Sequence, residues 1–120
     1  MAKTIQLKRV YEAPAASDGT RILVDRLWPR GIAKAKARVD LWLKDIAPSD
    51  TLRRRFHGHP EDWDEFRKAY AVELKEAKDA VKALRGHLRQ GAVTLLYAAR
   101  DEEHNNAVAL KQWLARRRGR

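Results

Sequence analysis

The stretch AVTLLYAA at residues 92–99 decides the fold of this 120-residue chain. It is apolar on both faces of an extended chain, which predicts a strand at the centre of a sheet. Residues 21–25 (RILVD) form a second short apolar run and predict another buried strand. Residues 4–10 (TIQLKRV) alternate apolar and polar side chains, which is typical of a half-buried strand. Strands that are buried on both faces favour a mainly parallel sheet covered by helices.

Helical patterns lie on either side of the central strand. Ser49 or Asp50 can cap a short helix that starts next to them. Apolar residues recur at helical spacing over residues 63–88, which predicts one continuous helix, bent or split near Gly86. A last helix is predicted over residues 105–117.

Two segments between the second strand and the first long helix are harder to classify. Residues 34–38 alternate basic residues with alanine and are interpreted as a basic loop or an edge strand. Residues 41–46 predict one or two amphipathic helical turns. The order of elements predicts a small single-domain α/β sandwich with a mainly parallel, Rossmann-like sheet flanked by helices. Residues 1–115 are assigned to this domain and residues 116–120 to a basic tail.

Composition narrows the class of protein. Lys and Arg number 26 against 16 Asp and Glu, so the formal net charge is +10. The chain contains no cysteine, which excludes disulfides, thiolate zinc sites and cysteine nucleophiles. No apolar run approaches the roughly 18 residues that cross a bilayer, and the first residues lack a signal-peptide core. We therefore expect a soluble, cytoplasmic, basic protein without a membrane partner.

The positive charge is concentrated in two zones. Residues 21–55 hold ten basic and four acidic side chains, and residues 116–120 hold four arginines. Such zones attract phosphate, whether in nucleic acid or in a small anionic ligand. A solvated surface that keeps a small protein soluble is the alternative, and we favour it for the tail.

Polar residues follow the second predicted strand in the segment DRLWPRG, residues 25–31. Arg26 and Arg30 offer guanidinium groups that pair with phosphate or carboxylate, and Trp28 can stack on a planar ring. Gly31 permits a close approach of the backbone to a ligand. Asp25 is a candidate catalytic base.

A second polar segment follows the central strand. Tyr97 ends that strand, and Asn105 and Asn106 stand at the start of the last helix, where backbone N–H groups favour an anion. Asp101 lies between them and is a second candidate base. Ligands of parallel sheets bind beyond the carboxyl ends of the strands, so convergence of the two segments would create an anion or nucleotide pocket. The alternative is structural, with carboxylate–arginine pairs, a tryptophan that plugs the sheet and capped helix ends.

Patterns for metals and cofactors are weak. His57 and His59 precede two acidic residues, but two histidines at this spacing do not share a helix face. An exposed helix start explains them better, so no metal is predicted. Neither GxGxxG nor GxxxxGK[ST] occurs, and no cofactor is predicted.

Three segments together resemble the YeaO-like branch of the family called domain of unknown function 488. They are RILVDRLWPRG (21–31), LWLKDIAPSDTLRRRFHGHPEDWDEFRKAYAVEL (41–74) and VTLLYAARDEEHNNAVAL (93–110). The resemblance runs along almost the whole chain. It implies a compact α/β fold in which the segments after the two strands are signature motifs.

The resemblance also bears on chemistry. The wider family often shows a Cys-His-Arg triplet after the last strand, whereas this chain has Asn105-Asn106-Ala107 there. Thiol chemistry of that kind is therefore excluded. We predict binding of a phosphorylated or nucleotide-like anion, and nucleic-acid binding or regulation through the basic zones is the alternative. The chain is expected to be a monomer or, if the stripe over residues 63–88 serves an interface, a homodimer.

Overall fold

A computed structural model describes residues 5–118. Within that range, four strands form one sheet in the order β1-β4-β2-β3. All of the pairs are parallel, which confirms the predicted α/β class. The strands are β1 (Ile5–Arg9), β2 (Thr20–Leu23), β3 (Leu41–Trp42) and β4 (Val93–Tyr97).

The helices lie between these strands and after the last one. They are α1 (Lys34–Ala37), α2 (Asp50–Phe56), α3 (Trp63–Glu76), α4 (Lys78–Gln90) and α5 (Asn106–Arg118). Short 3₁₀ turns occur at Ala16–Asp18, Lys44–Ile46 and Pro60–Asp62. Ser49 caps α2, and its hydroxyl accepts a hydrogen bond of 3.1 Å from the N–H of Leu52.

Strand β4 occupies the centre of the sheet, as its sequence predicts. All five of its residues are buried, and it pairs with β1 on one side and β2 on the other. Alternate side chains enter two apolar clusters. Val93, Leu95 and Tyr97 pack in the larger cluster with α2 to α5, whereas Leu96 joins a smaller cluster on the opposite face. The sheet is therefore covered by helices α2 to α5 on one face. On the other face lies a thin layer formed by α1 and the segments that contribute Val10, Trp28, Ile32 and Val39.

The thin layer is held by a buried ion network. Asp18 is 3% exposed, and its carboxylate accepts hydrogen bonds from Arg21 at 2.5 Å and from Lys8 at 2.9 Å. The Thr94 hydroxyl donates to the Asp18 carbonyl at 2.7 Å. Strand β4 lies between β1 and β2 in the sheet, so the segment that connects β1 to β2 must cross it. These contacts hold that segment against β4.

Arg21 also determines the shape of α1. Its guanidinium donates to the carbonyls of Ala37 at 2.7 Å and Arg38 at 2.9 Å. Arg38 has the left-handed conformation with φ of 51°, which ends the helix after one turn. Residues 34–38, predicted as a loop or an edge strand, are therefore largely a short helix. That prediction was wrong because the helix depends on Arg21, which lies outside the segment.

Residues 41–46 also differ from the prediction. Leu41 and Trp42 form the edge strand β3, and a 3₁₀ turn over Lys44–Ile46 follows. Leu41 pairs with Ile22 and Trp42 with Leu23. A strand of two residues is too short to show an alternating pattern, so only its partner β2 reveals it.

The long apolar stripe over residues 63–88 is divided at Ala77 rather than near Gly86. Ala77 has φ of −83° and ψ of 53°, and Gly86 lies inside α4. The helical spacing predicts the buried face correctly, since Tyr70, Leu74, Val81, Leu84 and Leu88 all enter the core. The stripe passes the break unchanged because both helices pack on the same face of the sheet.

The described part of the chain ends with helix α5. Helix α5 extends to Arg118, and Gly119 and Arg120 of the predicted tail lie outside the described residues, as does Thr4 of the first predicted strand. In the part of the chain that the structure describes, no helix has the length and apolar character needed to span a bilayer.

Candidate functional site

The two polar segments meet at the carboxyl edge of the sheet. Asp25 follows β2, and its Oδ1 accepts a hydrogen bond of 3.0 Å from Nδ2 of Asn106 at the start of α5. Its Oδ2 accepts a bond of 2.9 Å from the N–H of Ala98, which follows β4. The Asn106 amide also donates to the carbonyl of Val24 at 2.9 Å. One carboxylate and one amide thus join the ends of two strands to a helix.

Asp25 combines partial burial with internal partners. Burial raises its pKa above the usual value, while hydrogen bonds from Asn106 and Ala98 and the positive charge of Arg53 partly oppose that rise. Both carboxylate oxygens already accept hydrogen bonds from the protein. The carboxylate therefore stabilises the contact between the ends of β2 and β4 and the start of α5.

Arg26 bonds to the backbone of the loop that precedes α2. Its Nε donates to the carbonyl of Pro48 at 3.1 Å and its Nη2 to the carbonyl of Ala47 at 3.2 Å. It lines a cavity of about 250 Å³ together with Tyr70 and Glu73. Its guanidinium stabilises the loop before α2.

Trp28 belongs to the thin layer, and Gly31 lies in the exposed turn that follows it. The indole Nε1 of Trp28 donates to the carbonyl of Ile32 at 2.8 Å, and its ring meets Trp42 edge-on with 5.5 Å between centroids. Gly31 has φ of 75°, and no atom lies within 4 Å of the position where a Cβ would stand. The turn conformation, rather than a close approach of another group, therefore requires glycine at this position.

Unlike Asp25, Arg26 and Trp28, Arg30 has an exposed side chain. Its carbonyl accepts a hydrogen bond of 2.7 Å from the hydroxyl of Tyr11. Among the described residues, no acidic group pairs with its guanidinium. Arg30 is thus held in place through its backbone while its charge is available to a ligand.

The residues after β4 form a capped turn. Asn105 is 5% exposed; its Oδ1 accepts from the N–H of Val108 at 2.9 Å and its Nδ2 donates to the carbonyl of Asp101 at 2.9 Å. The Asp101 carboxylate accepts bonds from the N–H groups of Glu103 and His104, and these bonds lower its pKa. Tyr97 is buried, which raises the pKa of its phenol. These groups order the entry to α5.

The predicted site residues therefore fall into three groups. Asp25 and Asn106 are in direct contact, Arg30 is exposed, and Arg26, Trp28, Tyr97, Asn105 and Asp101 bond mainly to nearby backbone or pack in the core. Their ligand-binding and catalytic roles stay predictions.

Arg53 is a residue of this edge that sequence reasoning assigned only to a nucleic-acid surface. Its charge lies close enough to Asp25 to lower the pKa of that carboxyl, and its side chain is exposed. Helix α2 brings it there because α2 starts shortly after β3. The sequence did not predict β3. Without that strand, the position of α2 beside the edge of the sheet could not be predicted.

Three side chains before α3 have the spacing of metal ligands. The ligand atoms of His59, Glu61 and Asp62 lie within 4.8 Å of one another before α3. His59 and Glu61 are exposed and contact each other at 3.1 Å. A helix start with acidic residues explains this group without an ion.

Comparison with known proteins identifies a matching protein family and several similar uncharacterized proteins. A protein-family model described as the inactive DUF488-N3 subclade matches residues 4–120. The chain is 46% identical over 110 residues to the uncharacterized protein YeaO of Escherichia coli, which covers 92% of this chain and 96% of that protein. It is 42% identical to the uncharacterized proteins Rv3073c of Mycobacterium tuberculosis and Mb3100c of Mycobacterium bovis, with 92% of each chain covered. No solved structure matches it significantly.

Proposed function

The chain belongs to the inactive DUF488-N3 subclade, and from that premise we propose that it binds a phosphorylated or nucleotide-like anion without transforming it. The site lies at the carboxyl edge of the sheet. The absence of cysteine supports a binding role, because a thiol nucleophile is excluded. The internal hydrogen bonds of Asp25 and Asp101 support it further, because both candidate bases already have partners in the fold.

The observation that carries the proposal is the set of exposed arginines at this edge. Arg30 follows β2, Arg100 follows β4 and Arg53 lies on α2 near Asp25, and all three side chains are exposed. Guanidinium groups pair with phosphate through two parallel hydrogen bonds. The start of α5 lies at the same edge, and the N-terminus of a helix favours negative charge. A phosphate group suits this combination better than a neutral ligand.

Thermal denaturation of the full chain tests the proposal. Inorganic phosphate, ribose 5-phosphate and AMP are each added, and the change in melting temperature is measured. Binding to the folded state raises the melting temperature, because a ligand that binds only the folded state stabilises it. In Arg30→Ala the affinity falls about ten- to hundredfold, because the variant loses a charge-assisted pair of about 1.5–3 kcal/mol. Arg53→Ala weakens binding less, because Arg53 already has an acidic partner in Asp50 at 3.4 Å.

Lys82→Ala is the matched control, since it removes one exposed positive charge from α4. It leaves the ligand-induced shift unchanged. A shift that is absent in the wild type, or that is equal in all of the variants, contradicts the proposal.

Nucleic-acid binding is the second candidate. Of the ten basic residues at positions 21–55, eight are exposed, and Arg53, Arg54 and Arg55 stand together on α2. This candidate predicts affinity for an oligonucleotide that falls steeply with salt, because each phosphate contact releases counterions. Charge reversal at positions 53–55 combined with deletion of residues 116–120 abolishes it. Binding that is insensitive to salt speaks against this candidate.

Neither candidate requires a metal or a cofactor. A cytoplasmic location stays a prediction, as does the choice between a monomer and a homodimer. Light scattering on the purified chain decides the latter directly.

A further inference from the structure

A groove of about 530 Å³ opens on the thin layer, between the segment that follows β1 and the segment that includes α1. One wall is the segment that follows β1, with Tyr11 and Glu12, and the other is formed by α1 and the residues around it, with Ile32, Lys36 and Arg38. Binding sites for small molecules commonly have volumes of about 300–1,000 Å³. The groove therefore has the size of a nucleotide-binding site.

Tyr11 forms an exposed aromatic wall that is already fixed. Its side chain is 41% exposed, yet its hydroxyl donates to the carbonyl of Arg30 at 2.7 Å. The guanidinium of Arg9 lies 5.0 Å from the centre of its ring. Arg9 is itself held by hydrogen bonds to the carbonyls of Ala98 and Ala99. A ring held in this way loses little conformational entropy when a ligand stacks on it.

Lys36 and Arg38 supply positive charge on the facing wall. Both are exposed, and within residues 5–118 neither side chain has an acidic partner. The backbone beneath Arg38 is fixed by the buried guanidinium of Arg21, which binds the carbonyls of Ala37 and Arg38. Glu12 also lines the groove, but its Oε2 accepts a hydrogen bond of 3.0 Å from the N–H of Arg9. Two cations and a fixed aromatic ring thus face one space.

We propose that the anion is a nucleotide, whose base stacks on Tyr11 in this groove and whose phosphate meets Lys36, Arg38 and the neighbouring Arg30. This inference rests on the proposed function and adds the class of ligand. The ring explains a preference for a base, and the cations explain a need for phosphate. Arg30 belongs to the motif after β2 and links the groove to the proposed anion site, whereas Tyr11, Lys36 and Arg38 lie outside both motifs.

Calorimetric titration of the full chain with AMP and with ribose 5-phosphate tests the inference, because the two ligands share the phosphate and differ in the base. AMP binds about tenfold more tightly, which is the scale of stacking one base on an aromatic side chain. Tyr11→Leu removes that difference and leaves the affinity for ribose 5-phosphate unchanged. Tyr11→Phe retains the ring and most of the preference for AMP.

Arg38→Gly tests the phosphate contact without disturbing the fold, because glycine accepts the left-handed conformation at this position. It weakens both ligands about tenfold, whereas Lys82→Ala weakens neither. Equal affinity of the wild type for AMP and ribose 5-phosphate overturns the nucleotide inference and leaves the anion site standing. No binding of either ligand overturns both proposals.

Discussion

The carboxylate of Asp25 and the side-chain amide of Asn106, 81 residues apart in the sequence, are joined by a hydrogen bond of 3.0 Å. The same amide nitrogen donates to the carbonyl of Val24, and the second carboxylate oxygen accepts the N–H of Ala98. The N–H groups of Asn106 and Ala98 in this junction therefore all have acceptors. It closes the carboxyl edge of the sheet against the start of α5.

Asn106→Ala tests how much this junction stabilises the fold. The substitution leaves the carbonyl of Val24 and one oxygen of Asp25 without their donor, so we expect a loss of about 1–3 kcal/mol in the free energy of unfolding. The pKa of Asp25 also rises further, because one of the hydrogen bonds that oppose its upward shift is removed. Urea denaturation measures the first effect and carboxyl NMR titration the second.

Lys111→Ala on the exposed face of α5 is the control for general effects of substitution in that helix. It changes the free energy of unfolding by less than about 0.5 kcal/mol. If Asn106→Ala is equally neutral and the Asp25 titration does not move, the junction is not a stabilising element.

Gly19 and Gly31 differ in what surrounds them, although both have positive φ. A Cβ at Gly19 would lie 2.2 Å from the carbonyl oxygen of Ala92, whereas a Cβ at Gly31 meets open space. Gly31→Ala therefore costs only the backbone strain, about 1–2 kcal/mol. Gly19→Ala adds a clash with backbone, and we expect a loss of about 4 kcal/mol or failure to fold. Urea denaturation of both variants compares them, and equal losses would show that the contact with Ala92 is unimportant.

Asp18 makes the stability of the fold depend on acid pH. Burial by itself raises the pKa of this carboxyl, but hydrogen bonds from the N–H of Ala15 and from Lys8 and Arg21 outweigh that effect and hold it below 3.8. The unfolded chain therefore binds the proton more readily than the folded one. The stabilising contribution is complete above the unfolded pKa and is lost as the pH falls through the folded pKa.

Asp25 has the opposite sign, because its folded pKa is raised. Its protonation favours the folded state, so stability from this group increases as the pH falls from its folded pKa toward 3.8. Urea denaturation across the acid range, together with carboxyl NMR titration of both residues, measures the two contributions. A pKa for Asp18 at or above 3.8 in the folded protein would contradict the account of the buried network.

Ser49 joins the start of α2 to α3. Its hydroxyl accepts the N–H of Leu52 and donates to Glu73 at 2.6 Å, and its own N–H donates to the same carboxylate at 2.8 Å. Ser49→Ala removes the helix cap and costs about 1–2 kcal/mol. Thr51→Ala, at an exposed position in the first turn, is the control. Combining Ser49→Ala with Glu73→Ala costs less than the sum of the single changes, and strict additivity would refute the coupling.

Local patterns predicted the central elements because the information lies within each segment. Four of the five residues of β4 are apolar and they occupy both faces of the strand, which specifies burial on both faces wherever the strand is placed. Ser49 likewise indicates the start of α2 because a cap bonds to residues only three positions away. The buried positions of α3 and α4 follow from helical spacing alone.

The elements that were mistaken are those whose conformation depends on a distant partner. Strand β3 exists because Leu41 and Trp42 pair with β2. Helix α1 is held by Arg21, which binds the carbonyls at its end. The break at Ala77 leaves the apolar spacing intact, so periodicity does not reveal it. For β3 and α1 the deciding contact joins separate parts of the chain. For the break at Ala77 the local pattern is the same with and without it.

The sequence by itself therefore determined the α/β class, the central position of β4 and the family, and it identified two polar motifs without showing that they meet. The tertiary structure alone decided that these motifs meet at the edge of the sheet and what they do there. Asp25 and Asn106 bond to each other, Arg26 turns to backbone carbonyls, and Arg30 keeps its charge in solvent. It also brought Tyr11 opposite Lys36 across a groove. The physical reason is that periodicity and capping act over a few residues, whereas the partner of a polar side chain is set by which distant segments the fold places within hydrogen-bond distance.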